Sequence, residues 1–149
     1  MAKLRRFITA TALLAAMQMA MASESPQEQR HELMEDVRGH AKTIARMLEG
    51  ETAFDADAAM GALQAWSEAA EVFGGMFPEG TESGYDTRAT PAVWSDRAGF
   101  DAALNGWAEA VDAAIAAKPQ DLESLKAAAG PVFKKCKACH EDYRQEEDN

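Results

Sequence analysis

Cysteine is scarce in this chain: two residues in 149, both inside one five-residue stretch. No second C-x-x-C pair exists, so a cysteine-rich four-ligand zinc site lacks its remaining ligands. Runs of β-branched residues are also missing, and no βαβ pattern appears. A thioredoxin-type C-x-x-C would need that setting. Positive charge is in short supply: 15 Lys and Arg stand against 25 Asp and Glu, a formal net charge of −10. Such acidity argues against nucleic acid and anionic membrane surfaces as partners. Beyond the N-terminus, no run is apolar enough to span a bilayer. There is no internal repeat.

What is present begins with an export signal. Lys3, Arg5 and Arg6 form a basic start, an apolar stretch runs from Phe7 to Met19, and Ala20-Met21-Ala22 makes an A-x-A cleavage site. A retained membrane anchor is the alternative, but the apolar stretch is short and interrupted by Thr9, Thr11 and Gln18. Residues 1–22 therefore read as a cleaved secretory signal, and 23–149 as one domain of 127 residues. Three basic residues and no acidic ones leave with the signal. The remainder carries twelve basic and 25 acidic residues, a formal charge of −13. This charge suits a redox partner, soluble or membrane-bound, with a basic docking surface. Plain solubility explains it equally well. The expected location is the periplasm, with no stable membrane insertion after cleavage.

Helical periodicity covers the mature chain. A first helix runs from about Pro26 to Leu48, with Leu33, Met34, Val37, Ala41, Ile44, Ala45 and Leu48 on one stripe. A second starts at Asp55 or Asp57, carries Ala59, Ala62, Leu63, Trp66, Ala70 and Phe73, and ends at Gly74-Gly75. A long loop follows from Met76 to Thr90, and a loop of that length is often functional or packed on a cofactor. Thr90-Pro91 reads as cap and first residue of a third helix bearing Phe100, Leu104, Trp107, Val111 and Ile115. The fourth starts at Asp121, and Pro131 is expected to kink or interrupt it. The acidic tail, Glu146 to Asp148, is expected to fray. The fold class is all-α, an antiparallel four-helix bundle.

Cys136-Lys137-Ala138-Cys139-His140 is a C-x-x-C-H run, the attachment signature of a c-type haem. Residues three and four apart share a helix face. Both sulfurs can then reach the two vinyl groups of one porphyrin, while the His140 imidazole rises toward the iron as axial ligand. A redox dithiol, a zinc site and a plain disulfide are the competing readings. The export signal favours haem c, which bacteria attach outside the cytoplasm, and the bundle would hold it at one end.

A C-terminal C-x-x-C-H on an all-α chain resembles the class II cytochromes c, the cytochrome c′ family. Further matches follow in order: Arg30-x-x-x-Met34, Phe77-Pro78-Glu79-Gly80-Thr81, Pro91-Ala92-Val93-Trp94 with Phe100, and Cys136 through Arg144. The resemblance implies that His140 is the proximal ligand, that Arg144 lies beside it, and that Met34 meets the opposite haem face. In low-spin members a first-helix methionine binds the iron; in the others an apolar residue leaves it five-coordinate and open to nitric oxide or carbon monoxide. Pro131, the Thr90–Arg97 stretch and the long second helix with its loop resemble the low-spin members more. The leading expectation is a mono-haem one-electron carrier with Met34 as sixth ligand, not an enzyme. The alternative is a gas-binding, five-coordinate protein, and a small peroxidase ranks last. Arg30, near the centre of the first apolar stripe, either pairs with a haem propionate or snorkels from a frayed helix start. Arg88 and Arg97 are weaker propionate candidates, and His31 and His40 are poorer ligands. Family members often pair through their first two helices. Nothing in this sequence marks such an interface, so a homodimer stays open.

Overall fold

Side-chain caps set most of the helix boundaries in this computed structural model, which describes residues 24–145. The expected signal at 1–22 and the acidic tail at 146–148 lie outside those residues. Helix α1 spans Pro26–Leu48, with proline in its first turn and the Ser25 hydroxyl accepting the Glu28 amide at 3.2 Å. Helix α2 spans Ala56–Phe73 and is capped by Asp55, whose Oδ1 accepts the Ala58 amide at 3.0 Å. Asp55 rather than Asp57 is therefore the cap. A 3-10 turn, Gly74–Met76, leads into the long loop.

The expected third helix is two helices. A single turn, α3 (Ala92–Ser95), is separated from α4 (Arg97–Ala117) by Asp96, whose backbone leaves the helical region at φ −119° and ψ 54°. Asp96 then caps the new helix, its Oδ1 accepting the Gly99 amide at 3.2 Å. Thr90 is not a cap: its hydroxyl donates to the Asp142 carbonyl at 3.4 Å. Helix α5 spans Leu122–Tyr143 behind a capping box of Asp121 and Ser124.

Pro131 does not interrupt α5. A proline here removes the donor to the Ala127 carbonyl. Ala127 is exposed, so water can take that acceptor, while Ala128, Ala129 and Val132 pack the other face into the core.

The four long helices close into a ring in which α1 packs on α2, α2 on α4, α4 on α5 and α5 on α1. This is an antiparallel four-helix bundle, and its two ends differ. At one end Ile44 and Met47 of α1 meet Ala59, Leu63, Val111, Ala114, Leu125 and Ala129, all buried. Alanines there let the helix axes approach closely. At the other end Leu33, Met34, Val37, Phe73, Phe133, Cys136 and Cys139 are only half-buried. That open end is where the sequence places the haem motif.

Gly99 marks the tightest joint. A Cβ there would lie 2.6 Å from the Tyr143 hydroxyl and closer still to the Asp96 carboxylate, which accepts that hydroxyl at 3.0 Å. Gly99→Ala is expected to destabilise by about 2 kcal/mol, read by urea unfolding, because cap and tie must both shift. A second expectation concerns Asp121. The Ser124 amide and hydroxyl hold its carboxyl below the ordinary carboxylate range. The unfolded chain therefore binds the proton more readily. The cap's contribution is full above the ordinary carboxylate pKa and is lost as pH falls through the lowered folded value. Asp121→Asn keeps a capping side chain without that charge, so its deficit against the parent should shrink on acidification.

Candidate functional site

The open end of the bundle is a cavity of ≈ 490 Å³. That is within the ~300–1,000 Å³ range of cofactor pockets. Cys136, Cys139 and His140 line one wall from the last turns of α5. Met34, Val37 and Ala41 of α1 line it too, with Phe100, Leu104 and Trp107 of α4. The sequence-expected cysteines, histidine, methionine, Arg30 and Arg144 are therefore all brought to one cavity. Met34 is the only methionine among its described lining residues. His31 stands exposed at the rim, edge-on to Tyr85 with ring centroids 6.1 Å apart. His40 is not among the lining residues.

The electrostatics separate the readings left open by the sequence. Cys136 and Cys139 are free thiols. Burial raises the pKa of Cys136; for Cys139, burial first and then the charges of Cys136 and Asp142 push it up to about 11. A catalytic redox dithiol is marked by the opposite shift, toward thiolate. Among the described residues no cluster of three His, Cys, Asp or Glu is arranged to hold a metal ion. His140 is shifted down, chiefly by burial and then by the positive charges of Arg144 and Arg88. That shift favours the neutral imidazole, the form with a lone pair for a metal.

Arg30 has a third role that neither sequence reading anticipated. It is 5 % exposed, so it does not snorkel. One terminal nitrogen donates to the Met76 carbonyl at 3.1 Å and the Thr81 hydroxyl at 2.9 Å. The other donates to the Thr81 carbonyl at 2.9 Å and the Thr87 hydroxyl at 3.1 Å. The guanidinium also lies 4.7 Å from the Phe77 ring centroid. Both terminal nitrogens are thus spent on the long loop, drawing it over the cavity. The loop's far end is stitched to α5: Thr90 N–H donates to the Tyr143 carbonyl and Gln145 N–H to the Arg88 carbonyl.

Of the other arginines, Arg88 lines the cavity and donates to the Gln145 carbonyl at 3.1 Å. Arg97 is not a lining residue: it bonds Asp101 at 2.8 Å and the Gly74 carbonyl at 2.9 Å. Sequence reasoning missed Arg38 and Lys135 at the rim and Phe133 on the wall. It read Trp107 as core only. Trp107 is buried, lines the cavity, and its Nε1 is the one buried side-chain donor without a partner among the described residues. An orphaned donor of that kind points to a missing acceptor.

Two protonated thiols, a neutral imidazole, an apolar wall and a cationic rim fit a haem with its two vinyl groups, its iron and its carboxylates. A four-helix bundle with C-x-x-C-H at the end of its last helix defines the class II c-type cytochromes. Residues 25–144 match the family model described as Cytochrome C', and the chain belongs to that family. It is 32 % identical to a cytochrome c-556 of Rhodopseudomonas palustris over 97 % of this chain and 99 % of the relative. It is 38 % identical to a cytochrome c' of Rubrivivax gelatinosus over 73 % of this chain and 85 % of the relative. Among solved structures, cytochrome c' from Rhodopseudomonas palustris superposes with a TM-score of 0.80 at 33 % identity, covering 85 % of this chain and 100 % of that one. The cofactor is a covalently attached haem c, and the class of activity is electron transfer or gas binding.

Arg30→Ala should destabilise the protein by about 3 kcal/mol, since it strips a buried charge from four acceptors. Urea unfolding measures the loss, and limited proteolysis should cut within residues 76–90. Arg30→Lys should rescue little, because one ammonium cannot span both sides of the loop.

Proposed function

We propose that the protein is a periplasmic one-electron carrier, not an enzyme, exchanging electrons with partner redox proteins. Cys136 and Cys139 would hold its haem, and His140 and Met34 would be the residues that bind its iron. The observation that carries this reading is Met34: the sole methionine of the described lining, on α1, which packs against the helix bearing His140. When bound, the haem supplies a ferric–ferrous couple. The chain's residues set its conditions. The α5 backbone fixes His140 and the thiols on one face. Phe77, Phe100, Leu104 and Phe133 exclude water, which disfavours the more highly charged oxidation state. A thioether from Met34 would raise the potential further and leave no open position on the iron.

Acid–base catalysis needs a proton-transfer group at an open position. Glu35, beside Met34, is engaged by Arg38, and His31 is held at the rim. The second reading, a five-coordinate protein that binds nitric oxide or carbon monoxide, is favoured by the half-burial of Met34, which also suits simple packing. No helix among the described residues is long and apolar enough to cross a membrane. The secretory signal supports the periplasmic assignment.

The test is the visible spectrum of the haem-loaded protein and of Met34→Ala. The carrier reading expects a low-spin parent, with a sulfur-to-iron charge-transfer band when ferric. Met34→Ala should be high-spin and bind carbon monoxide. A parent that is already high-spin, with Met34→Ala unchanged, decides for gas binding.

A further inference from the structure

Helix α1 is held at both ends by visible devices. Its start is tied through Arg30 to the long loop, and its end packs Ile44 and Met47 into the core. Between them Met34 and Val37 are only half-buried and line the cavity. Among the described residues, one side chain from another element hydrogen-bonds α1 between residues 31 and 43. It is Trp66 of α2, whose Nε1 donates to the Val37 carbonyl at 3.1 Å. Val37 lies three residues after Met34, so this bond grips α1 on the turn that carries the methionine.

The contact is demanding. Trp66 is 1 % exposed, and a buried indole N–H left without an acceptor is costly. The Val37 carbonyl already serves the Ala41 amide within the helix, and its second lone pair takes the indole. The same ring meets Phe133 edge-on, with centroids 5.6 Å apart. Phe133 stands three residues before Cys136 on α5 and lines the cavity. Trp66 itself is not a lining residue. One buried side chain of α2 thus touches both the helix carrying Met34 and the helix carrying the thiols and His140.

We propose that Trp66 is a positioning residue, which holds α1 where the Met34 thioether can reach the haem iron. This rests on the carrier reading above and deepens it. Ligation by a side chain is an equilibrium between a closed and an open site, and any contact that favours the closed helix position shifts it. Ordering the flexible Met34 side chain costs entropy comparable to the gain from one hydrogen bond, so the position of α1 tips the balance. In net terms a single hydrogen bond is worth about a fivefold change in such an equilibrium.

The test compares the haem-loaded parent with Trp66→Phe, Met34→Ala and the double variant. Trp66→Phe keeps a ring for Phe133 and removes the donor, while the Val37 carbonyl retains the Ala41 amide. Stopped-flow binding of carbon monoxide to the ferrous protein reads the fraction of open sites. Trp66→Phe should bind about fivefold faster than the parent, with a weaker sulfur-to-iron band when ferric. In the Met34→Ala background the same substitution should change the rate less than about twofold, because no ligand is left to position. Val111→Ala, at the packed end, controls for general loosening: it should lower stability in urea and leave the band and the rate in place. A Trp66→Phe protein with the parent's rate and band overturns the proposal and leaves the carrier reading intact. Equal acceleration in both backgrounds also overturns it, since Trp66 would then govern access to the cavity and not the methionine. So does a loss of the band in Val111→Ala equal to that in Trp66→Phe. A parent that is already high-spin removes the carrier reading and this proposal with it. Trp66→Leu is the second donor-free variant, read in the same way should Trp66→Phe not load haem.

Discussion

Filling the cavity between α1, α4 and α5 is the interaction on which the open half of the bundle depends, because there the helices line a cavity rather than pack on one another. A closed apolar void of ≈ 490 Å³ would cost on the order of 12 kcal/mol at ~24 cal/mol per Å³. A domain's whole stability is typically about 5–15 kcal/mol. Water entering from the open side lowers the cost, but Phe77, Phe100, Leu104 and Phe133 gain little from water. Haem is therefore a structural member of this bundle as well as its cofactor. Covalent attachment through α5 makes that member permanent.

Two devices bring the chain to the haem. The first is α5, which packs Leu125, Ala129 and Val132 into the core and then presents Cys136, Cys139 and His140 one turn later on an adjoining face. The second is the loop between α2 and α3, which Arg30 gathers over the open end. A buried guanidinium is tolerated there because two carbonyls, two hydroxyls and an aromatic face surround it. The Tyr143–Asp96 bond and the Thr90–Tyr143 backbone tie then lock the loop's exit to the end of α5. These bonds join the haem-bearing helix, the loop and the start of α4.

The haem motif was fully legible in the sequence because its geometry is local: three side chains at i, i+3 and i+4 need nothing but a helix. Pro26 and Asp121 were legible as boundaries for the same reason, and Asp55 as one of two candidates with Asp57. Thr90-Pro91 misled, since it has the form of a helix start; Asp96, three residues before Gly99, was the competing cap that won. Arg30 stood out as an anomaly on an apolar stripe, but its partners did not, because backbone carbonyls leave no trace in sequence. Trp107 was hidden by its own spacing, which is that of any core residue.

Amide hydrogen exchange on the haem-loaded protein, compared with a Cys136→Ala/Cys139→Ala chain purified without haem, tests the structural role of the cofactor most directly. The account predicts that without haem, protection collapses at 30–41, 97–107 and 133–143. It should survive around Ile44, Leu63, Val111 and Leu125, where the helices pack on one another. Equal protection at both ends of the haem-free bundle would contradict it.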